Sequence, residues 1–227
     1  MKERGVVFND DMVRAILEGR KTQTRRPVKN VRADNCLVIR KPTKKRNGVY
    51  THVMDAPEHG LCPFGNVGDR IWVREAWAIL GNEDGCSVDW NDNLCRGDEK
   101  NAARIYRASC EQKPGDYGLW SIPDDADWKP HTVNEKFDGG CCPSIHMPRW
   151  ASRILLEITD VRVERLHDMS EADAKAEGAT PATYKITPPE AVYRVGFGDI
   201  WRGIYGQENW LSNPWVWVIE FKRIQEA

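Results

Sequence analysis

The 227-residue sequence has no long apolar run. A helix that crosses a membrane needs about 20 mostly apolar residues in succession, and no window approaches that length. The N-terminal Met1-Lys2-Glu3-Arg4 is followed by only a brief apolar stretch, unlike a secretory signal peptide. We therefore expect no membrane partner and a cytoplasmic location.

Paired cysteines are also missing. The seven cysteines are an odd number, their spacing is irregular, and no CxxC pair occurs. This usage predicts reduced thiols instead of a disulfide framework. A zinc ion could be held by a subset of Cys86, Cys95, His131, Cys141 and Cys142, but their spacing does not require one. We expect no metal and no cofactor.

Net charge is almost absent overall, yet it is unevenly distributed. The chain has 33 basic and 34 acidic residues, of which residues 1–50 hold 14 and 5, a local balance of +9. A polyanionic partner would therefore meet one face of the protein, with self-association of opposite faces as the alternative. Five cations of this region could follow a nucleic-acid backbone: Arg25, Lys41, Lys44, Lys45 and Arg46. A solvated loop is the alternative for the last four.

Local patterns predict short helices and several separated strands. Helices are expected from Asn9 or Asp10 to Leu17, over Glu171–Glu177 after a Ser170 cap, and over Glu190–Tyr205, where Gly196 and Gly198 weaken the pattern. Strands are expected at Ile71–Arg74, Ala103–Ala108, Ile154–Val163 with a bulge near Asp160, and Trp215–Arg223. Residues 30–60 and 80–143 are predicted to be loop insertions. The pattern favours one α+β domain over 1–227, built as a small β-barrel with flanking short helices.

The segment Gly19–Arg26 concentrates charge. Its four cations and two hydroxyls lie within seven residues after the predicted end of the first helix. Like charges this close repel one another unless an anion or a carboxylate compensates them. The segment therefore predicts a binding or catalytic site, with a solvated basic turn as the alternative.

The pattern Gly19-x-Lys21-x-x-x-x-Arg26 after a short amphipathic helix resembles the signature of ASCH domains. These are PUA-like β-barrels associated with RNA and modified nucleosides. Val67–Val73 and Trp217–Phe221 resemble the turn-plus-strand and the final strand of the same family. Cys62–Gly65, Trp72–Trp77 and Ser144–Arg153 resemble its phage- and prophage-encoded branch. The resemblance implies a PUA-like barrel whose partner is a modified nucleoside or a nucleic acid, RNA rather than DNA.

A second resemblance concerns chemistry. Some small bacterial ASCH proteins are amidohydrolases that remove the acyl group from 4-N-acetylcytidine with a lysine, a threonine nucleophile and a distant glutamate. These match Lys21, Thr24 and Glu177. The resemblance implies that Lys21, with a lowered pKa, deprotonates Thr24, and that Glu177 carries the proton to the leaving amine. Lys21 and Thr24 point to opposite faces of a flat strand, so this mechanism requires a bend between them. An exposed, screened carboxylate is the alternative for Glu177.

Further residues are expected around the substrate. Arg20 and Arg26 are candidate anchors, and Arg26 or nearby backbone N–H groups could stabilise an oxyanion. Glu75 could bind a base edge or pair with Arg74, and Arg74 is itself expected among the substrate contacts. Trp72, Trp77 and Trp150 are candidates for a stacking platform. The alternatives to a hydrolase are a non-catalytic RNA- or DNA-binding module, a ribonuclease of phage origin, or a protein-binding accessory. The oligomeric state is not predicted.

Overall fold

The computed structural model describes residues 1–79, 81–82, 86–89, 91, 93–95, 99–109, 142–184 and 186–224. Its strands are β1 (Glu3–Val7), β2 (Gln23–Pro27), β3 (Cys36–Arg40), β4 (Val49–His52), β5 (Arg70–Arg74), β6 (Trp77–Ile79), β7 (Arg104–Tyr106), β8 (Leu155–Arg165) and β9 (Trp215–Ile224). Its α-helices are α1 (Asp10–Leu17), α2 (Glu171–Ala176), α3 (Val192–Tyr205) and α4 (Gln207–Leu211). The protein is therefore a mixed α+β structure with short helices, and no helix in the described ranges is long and apolar enough to cross a membrane.

The main sheet has five strands in the order β1-β5-β8-β9-β2, and β3-β4 and β6-β7 form two separate pairs. The antiparallel β8–β9 ladder runs from Leu155↔Ile224 to Arg165↔Trp215. Its register shifts between Ile158 and Asp160, which confirms the predicted bulge. β2 adds to the other side of β9 with Gln23 opposite Glu220. Half of the residues of β9 are buried, since β8 and β2 pair with its two edges and α2 and α3 pack on one of its faces.

The chain divides into two compact units. The first comprises residues 1–4, 15–71 and 155–227, and the second comprises residues 5–14 and 72–154. The first unit buries an apolar cluster that joins α2 and α3 to β9 through Ala174, Phe197, Trp201, Val216 and Val218. The second unit has a smaller cluster around Trp77, Met147 and Ala151.

Two of the sequence predictions for loops and strands need correction. Residues 30–60 are not a plain loop, because β3 and β4 pair as a hairpin with Leu37 opposite Thr51. Only those two of its paired residues are buried. The run Cys36–Ile39 is apolar and partly β-branched, which is a strand signal that the loop prediction overlooked. The strand expected at Ala103–Ala108 is only Arg104–Tyr106. Residues 110–141, half of the second expected insertion, lie outside the described residues, and they include Cys110, His131 and Cys141.

The way α1 begins and ends determines where the charged segment Gly19–Arg26 lies. Asn9 caps α1 through its side chain, which accepts from the Met12 N–H at 2.9 Å. Gly19 follows with φ of 74°, and the N–H groups of Arg20 and Lys21 both donate to the Ala15 carbonyl. The chain therefore turns sharply out of α1 and enters β2 two residues after Lys21.

The end of α2 is equally well defined. Ser170 and Asp173 form the reciprocal capping box that begins the helix. Gly178 follows the last turn with φ of 79°, and a Cβ there would lie 2.7 Å from Ala15 Cβ and 3.0 Å from Lys21 Cβ. Glycine is therefore required for the end of α2 to lie directly against the start of β2.

Candidate functional site: a buried charge network and a lysine-edged groove

Lys21 and Glu177 are adjacent, although 156 residues separate them in sequence. Their backbones form an antiparallel bridge, and the Thr22 N–H donates to the Ala176 carbonyl at 2.8 Å. The Lys21 ammonium donates to the Glu177 carboxylate at 2.6 Å and to the Glu177 carbonyl at 2.8 Å. Both side chains are almost completely buried, with 0% and 3% exposure. The alternative of an exposed, screened Glu177 is therefore wrong.

Arg25 binds the same carboxylate from the neighbouring position. Its guanidinium donates to Glu177 at 3.3 Å and to Glu164 at 3.1 Å, and it lies 3.7 Å from Asp173. Gln23 donates to the carbonyl and carboxylate of Asp173. Arg25 is buried, so our prediction that it contacts a nucleic-acid backbone is wrong. Internal carboxylates compensate this charge instead of an external anion.

Arg162 extends the network toward solvent. It pairs with Asp160, Glu164 and Glu220, and it lies 3.5 Å from Asp173. We call the connected side chains the Lys21 network: Lys21, Gln23, Arg25, Arg162, Glu164, Asp173 and Glu177. It links β2, β8 and α2 through charge-assisted hydrogen bonds, which are stronger than neutral ones.

Burial controls the ionisation of this network. Desolvation lowers the pKa of Lys21 from 10.5, Glu177 opposes that change, and the charges of Arg26 and Arg25 add to it. Burial opposes ionisation of Asp173, but hydrogen bonds from Ser170 and Gln23 and the charge of Arg25 outweigh it, so its pKa is lowered from 3.8. A lysine with a lowered pKa is suited to act as a base, although Glu177 accepts both hydrogen bonds of this ammonium.

Thr24 lies on the other face of β2. The side chains of Gln23 and Arg25 both reach α2 residues, and alternation along a strand directs Thr24 to the opposite side. Thr24 pairs with Ile219, which is fully buried. Within the described part of the chain, no hydrogen bond joins Lys21 to Thr24. The structure therefore brings together Lys21 and Glu177 of the expected catalytic set, whereas Thr24 belongs to β2 and lies on the opposite face of that strand from Gln23 and Arg25.

Several expected substrate contacts have other partners. Glu75, fully buried, accepts two hydrogen bonds from Arg153, at 3.0 and 2.9 Å, and not from Arg74. Burial raises the pKa of Glu75 and Arg153 opposes that rise. A base-edge contact by Glu75 would require breaking this pair, so the expectation of such a contact is not supported.

The tryptophan platform is also not supported. Trp77 is buried edge-on against Trp150, with ring centroids 5.4 Å apart. Arg74 donates to the Ser144 and Ile145 carbonyls, and its guanidinium lies 5.4 Å from the Trp72 ring centroid. These four side chains are held within the second unit by its own residues. Arg20 is exposed in the first unit, where it binds Glu18 and the Gly178 carbonyl.

Sequence reasoning missed a groove on the first unit. It has a volume of about 910 Å³, and we call it the Trp217 groove. It is lined by Pro27, Val28, Lys29, Asn30, Leu37, Val38, Ile39, Lys41, Leu61, Pro63, Phe64 and Trp217. Arg26 pairs with Trp217 across β2 and β9, so Arg26 and Thr24 lie on the face of the sheet that carries this groove. Phe64 and Trp217 are too far apart in sequence for a local pattern to reveal them.

Exposed cations border the groove. Lys29 and Lys41 are lining residues and both are exposed. The exposed turn of the β3–β4 hairpin is closed by a Thr43↔Arg46 bridge and carries Lys44, Lys45 and Arg46, which do not line the groove. The groove therefore joins an apolar floor to a positive edge.

No family model, no curated protein and no solved structure matches the chain. In the ranges that the structure describes, no group of three or more His, Cys, Asp or Glu side chains is arranged to hold a metal ion. The functional argument therefore depends on the Lys21 network and the Trp217 groove.

Proposed function

We propose that the protein is an ASCH-type, PUA-like barrel that recognises nucleic acid by seating single-stranded RNA in the Trp217 groove. The observation that carries this proposal is an apolar groove of about 910 Å³ bordered by the exposed Lys29 and Lys41. Proteins that recognise single strands combine a positive edge that follows the backbone with apolar and aromatic surfaces that contact the bases.

Size and charge both support this assignment. The volume lies toward the upper end of the ~300–1,000 Å³ range of small-ligand pockets, so the groove has room for unstacked bases. Residues 1–50 hold 14 basic and 5 acidic residues, and the Lys21 network compensates two of these cations internally. The cations of the hairpin are exposed, where phosphates can reach them. The ASCH resemblance of Gly19–Arg26 is consistent with an RNA partner.

Removing both groove-edge lysines tests the proposal. We expect the double variant Lys29→Gln, Lys41→Gln to weaken RNA binding and to reduce the slope of log K against log salt by about 1.4, since each single-strand phosphate contact contributes about 0.7. The measurement is fluorescence anisotropy with a labelled single-stranded RNA of about 10 nucleotides, titrated between about 50 and 200 mM salt. A DNA strand of the same sequence tests the preference for RNA.

Lys222→Gln is the matched control. Lys222 is 62% exposed and pairs with Glu157 on β8, outside the groove. It should leave the salt slope unchanged. Absence of RNA binding by the wild-type chain, or an equal loss of slope in Lys222→Gln, would contradict the proposal.

An amidohydrolase is the second candidate, and the lowered pKa of Lys21 beside Glu177 favours it. Thr24 on the opposite face of β2 argues against a Lys21–Thr24 nucleophile, so we expect no release of cytidine from 4-N-acetylcytidine. Liquid chromatography of the reaction, with free nucleoside and with acetylated RNA, measures this. Turnover by the wild type that disappears in Thr24→Ala and in Lys21→Met would establish the hydrolase and show that Thr24 reaches Lys21.

A further inference from the structure

A second cavity lies in the first unit and shares no residue with the Lys21 network or the Trp217 groove. It has a volume of about 370 Å³, and we call it the Trp210 cavity. Leu166, Met169, Val195 and Trp210 form apolar parts of its wall. Ligand pockets typically span about 300–1,000 Å³ and combine such walls with a few polar groups, so this cavity has the size for a small organic molecule.

Two arginines supply positive charge to the cavity. Arg202 pairs with Asp199 at 2.6 Å, and its guanidinium lies 5.2 Å from the Trp210 ring centroid. Arg194 is exposed at the rim, and among the described residues no carboxylate lies within 4.0 Å of its guanidinium. The nearby Glu171 carboxylate accepts the backbone N–H of Arg194 at 3.0 Å and that of Tyr193. The guanidinium of Arg194 is therefore available to an anion.

His167 adds an unpaired polar atom. Its Nε2 is buried and has no hydrogen-bond partner among the described residues. The ring is fixed, because its centroid lies 4.6 Å from that of Trp210 and the backbone N–H donates to Asn213 at 2.8 Å. Buried polar atoms in native proteins rarely lack a partner, so each one requires an explanation. Because Nε2 is shielded from solvent, it does not face the open space of the cavity, and the His167 ring serves as part of the wall beside Trp210.

The shape of the cavity depends on Gly198. A Cβ at this position would lie 3.2–3.3 Å from the Trp210 ring and the Arg202 guanidinium. Glycine therefore lets the indole and the guanidinium approach α3 closely.

We propose that the Trp210 cavity binds a small organic anion, a phosphate monoester or a carboxylate, whose flat apolar body contacts Trp210. The anionic group pairs with Arg194 and Arg202, because a guanidinium presents parallel donors to either group. The apolar walls and the His167 ring contact the body of the ligand. This site is independent of the proposed RNA binding.

Isothermal titration of the full chain tests the proposal with four probes: phenyl phosphate, phenylacetate, inorganic phosphate and benzyl alcohol. We expect phenyl phosphate or phenylacetate to bind at least about tenfold more tightly than the two controls, which lack either the body or the charge. Whichever of the two aromatic anions binds more tightly identifies the preferred anionic group.

The variants separate this site from general electrostatics. Arg194→Met should weaken binding of the preferred probe about tenfold, whereas His167→Phe, which keeps a ring beside Trp210, should leave its affinity nearly unchanged. Arg223→Met removes an exposed arginine of β9 that does not line the cavity and should leave the affinity unchanged. Arg194 is exposed, so its replacement should not disturb folding, which circular dichroism checks. No binding of either aromatic anion, equal binding of inorganic phosphate, or unchanged affinity in Arg194→Met would overturn the proposal.

Discussion

Replacing Glu177 with Gln is expected to reduce the free energy of unfolding by about 3–5 kcal/mol, because removing one partner leaves a buried charge without compensation. The ammonium of Lys21 would lose the carboxylate oxygen that it contacts at 2.6 Å. Arg25 would still reach Glu164 and Asp173, so the loss falls mainly on Lys21. Gln has nearly the shape of Glu, which separates charge from packing. Urea unfolding followed by circular dichroism measures the change.

Two further variants make the result decisive. The double variant Lys21→Met, Glu177→Gln should recover much of the lost stability, because it removes the uncompensated ammonium as well. Glu157→Gln disrupts the exposed pair with Lys222 at 3.0 Å and should cost at most about 1 kcal/mol. If Glu177→Gln cost no more than Glu157→Gln, the Lys21 network would not stabilise the fold.

The pH dependence of stability gives a second measurement of the same network. Burial lowers the pKa of Lys21 in the folded protein below its ordinary 10.5. Between these two pKa values the unfolded chain binds more protons, so the contribution of Lys21 to the free energy of unfolding rises as pH increases through that interval. Lys21→Met should lack this component of the rise.

Gly196→Ala is expected to destabilise the protein by about 3 kcal/mol, the upper part of the range for overpacked sites. A Cβ at position 196 would lie 2.0 Å from the carbonyl oxygen of Thr180. That atom belongs to the backbone, so it cannot move aside as a flexible side chain would. Either α3 or the segment around Thr180 would have to shift.

Gly203→Ala is the matched control in the same helix. Gly203 is exposed, and a Cβ there would meet nothing within 4 Å. Alanine should therefore stabilise α3 by about 0.5–1 kcal/mol, because glycine loses more backbone entropy on folding. The same Gly→Ala change should thus lower the free energy of unfolding at position 196 and raise it at position 203, two turns away. Thermal unfolding midpoints measure the difference. Equal midpoints would show that α3 does not pack closely on Thr180.

The glycines of α3 also show a limit of prediction from the sequence. The sequence predicted that Gly196 and Gly198 weaken a helix, which is correct for propensity in isolation. In the structure, Gly196 permits a close approach to Thr180 and Gly198 permits the approach of Trp210. Neither neighbour lies within one helical turn, so no local pattern contains that information.

The same limit applies to the site. The charge of Gly19–Arg26 predicted that an anion or carboxylates must compensate it, and the structure supplies Glu164, Asp173 and Glu177. Sequence resemblance paired Lys21 with Glu177 but also with Thr24. Side chains alternate between the two faces of β2, and pairing with β9 fixes which face each of them takes. Thr24 therefore lies apart from Lys21 and Glu177.

The local features of this protein follow from short stretches of its amino-acid sequence. Asn9 and Ser170 begin their helices, Gly19 and Gly178 follow the ends of theirs, and β9 is a strand, because capping, backbone freedom and β-branching act within a few residues. Which side chains contact one another depends instead on how the chain folds. The burial of Arg25, the position of Thr24 and the Trp217 groove depend on strand pairing and packing between segments that are distant along the chain, where solvent exclusion and register determine the outcome.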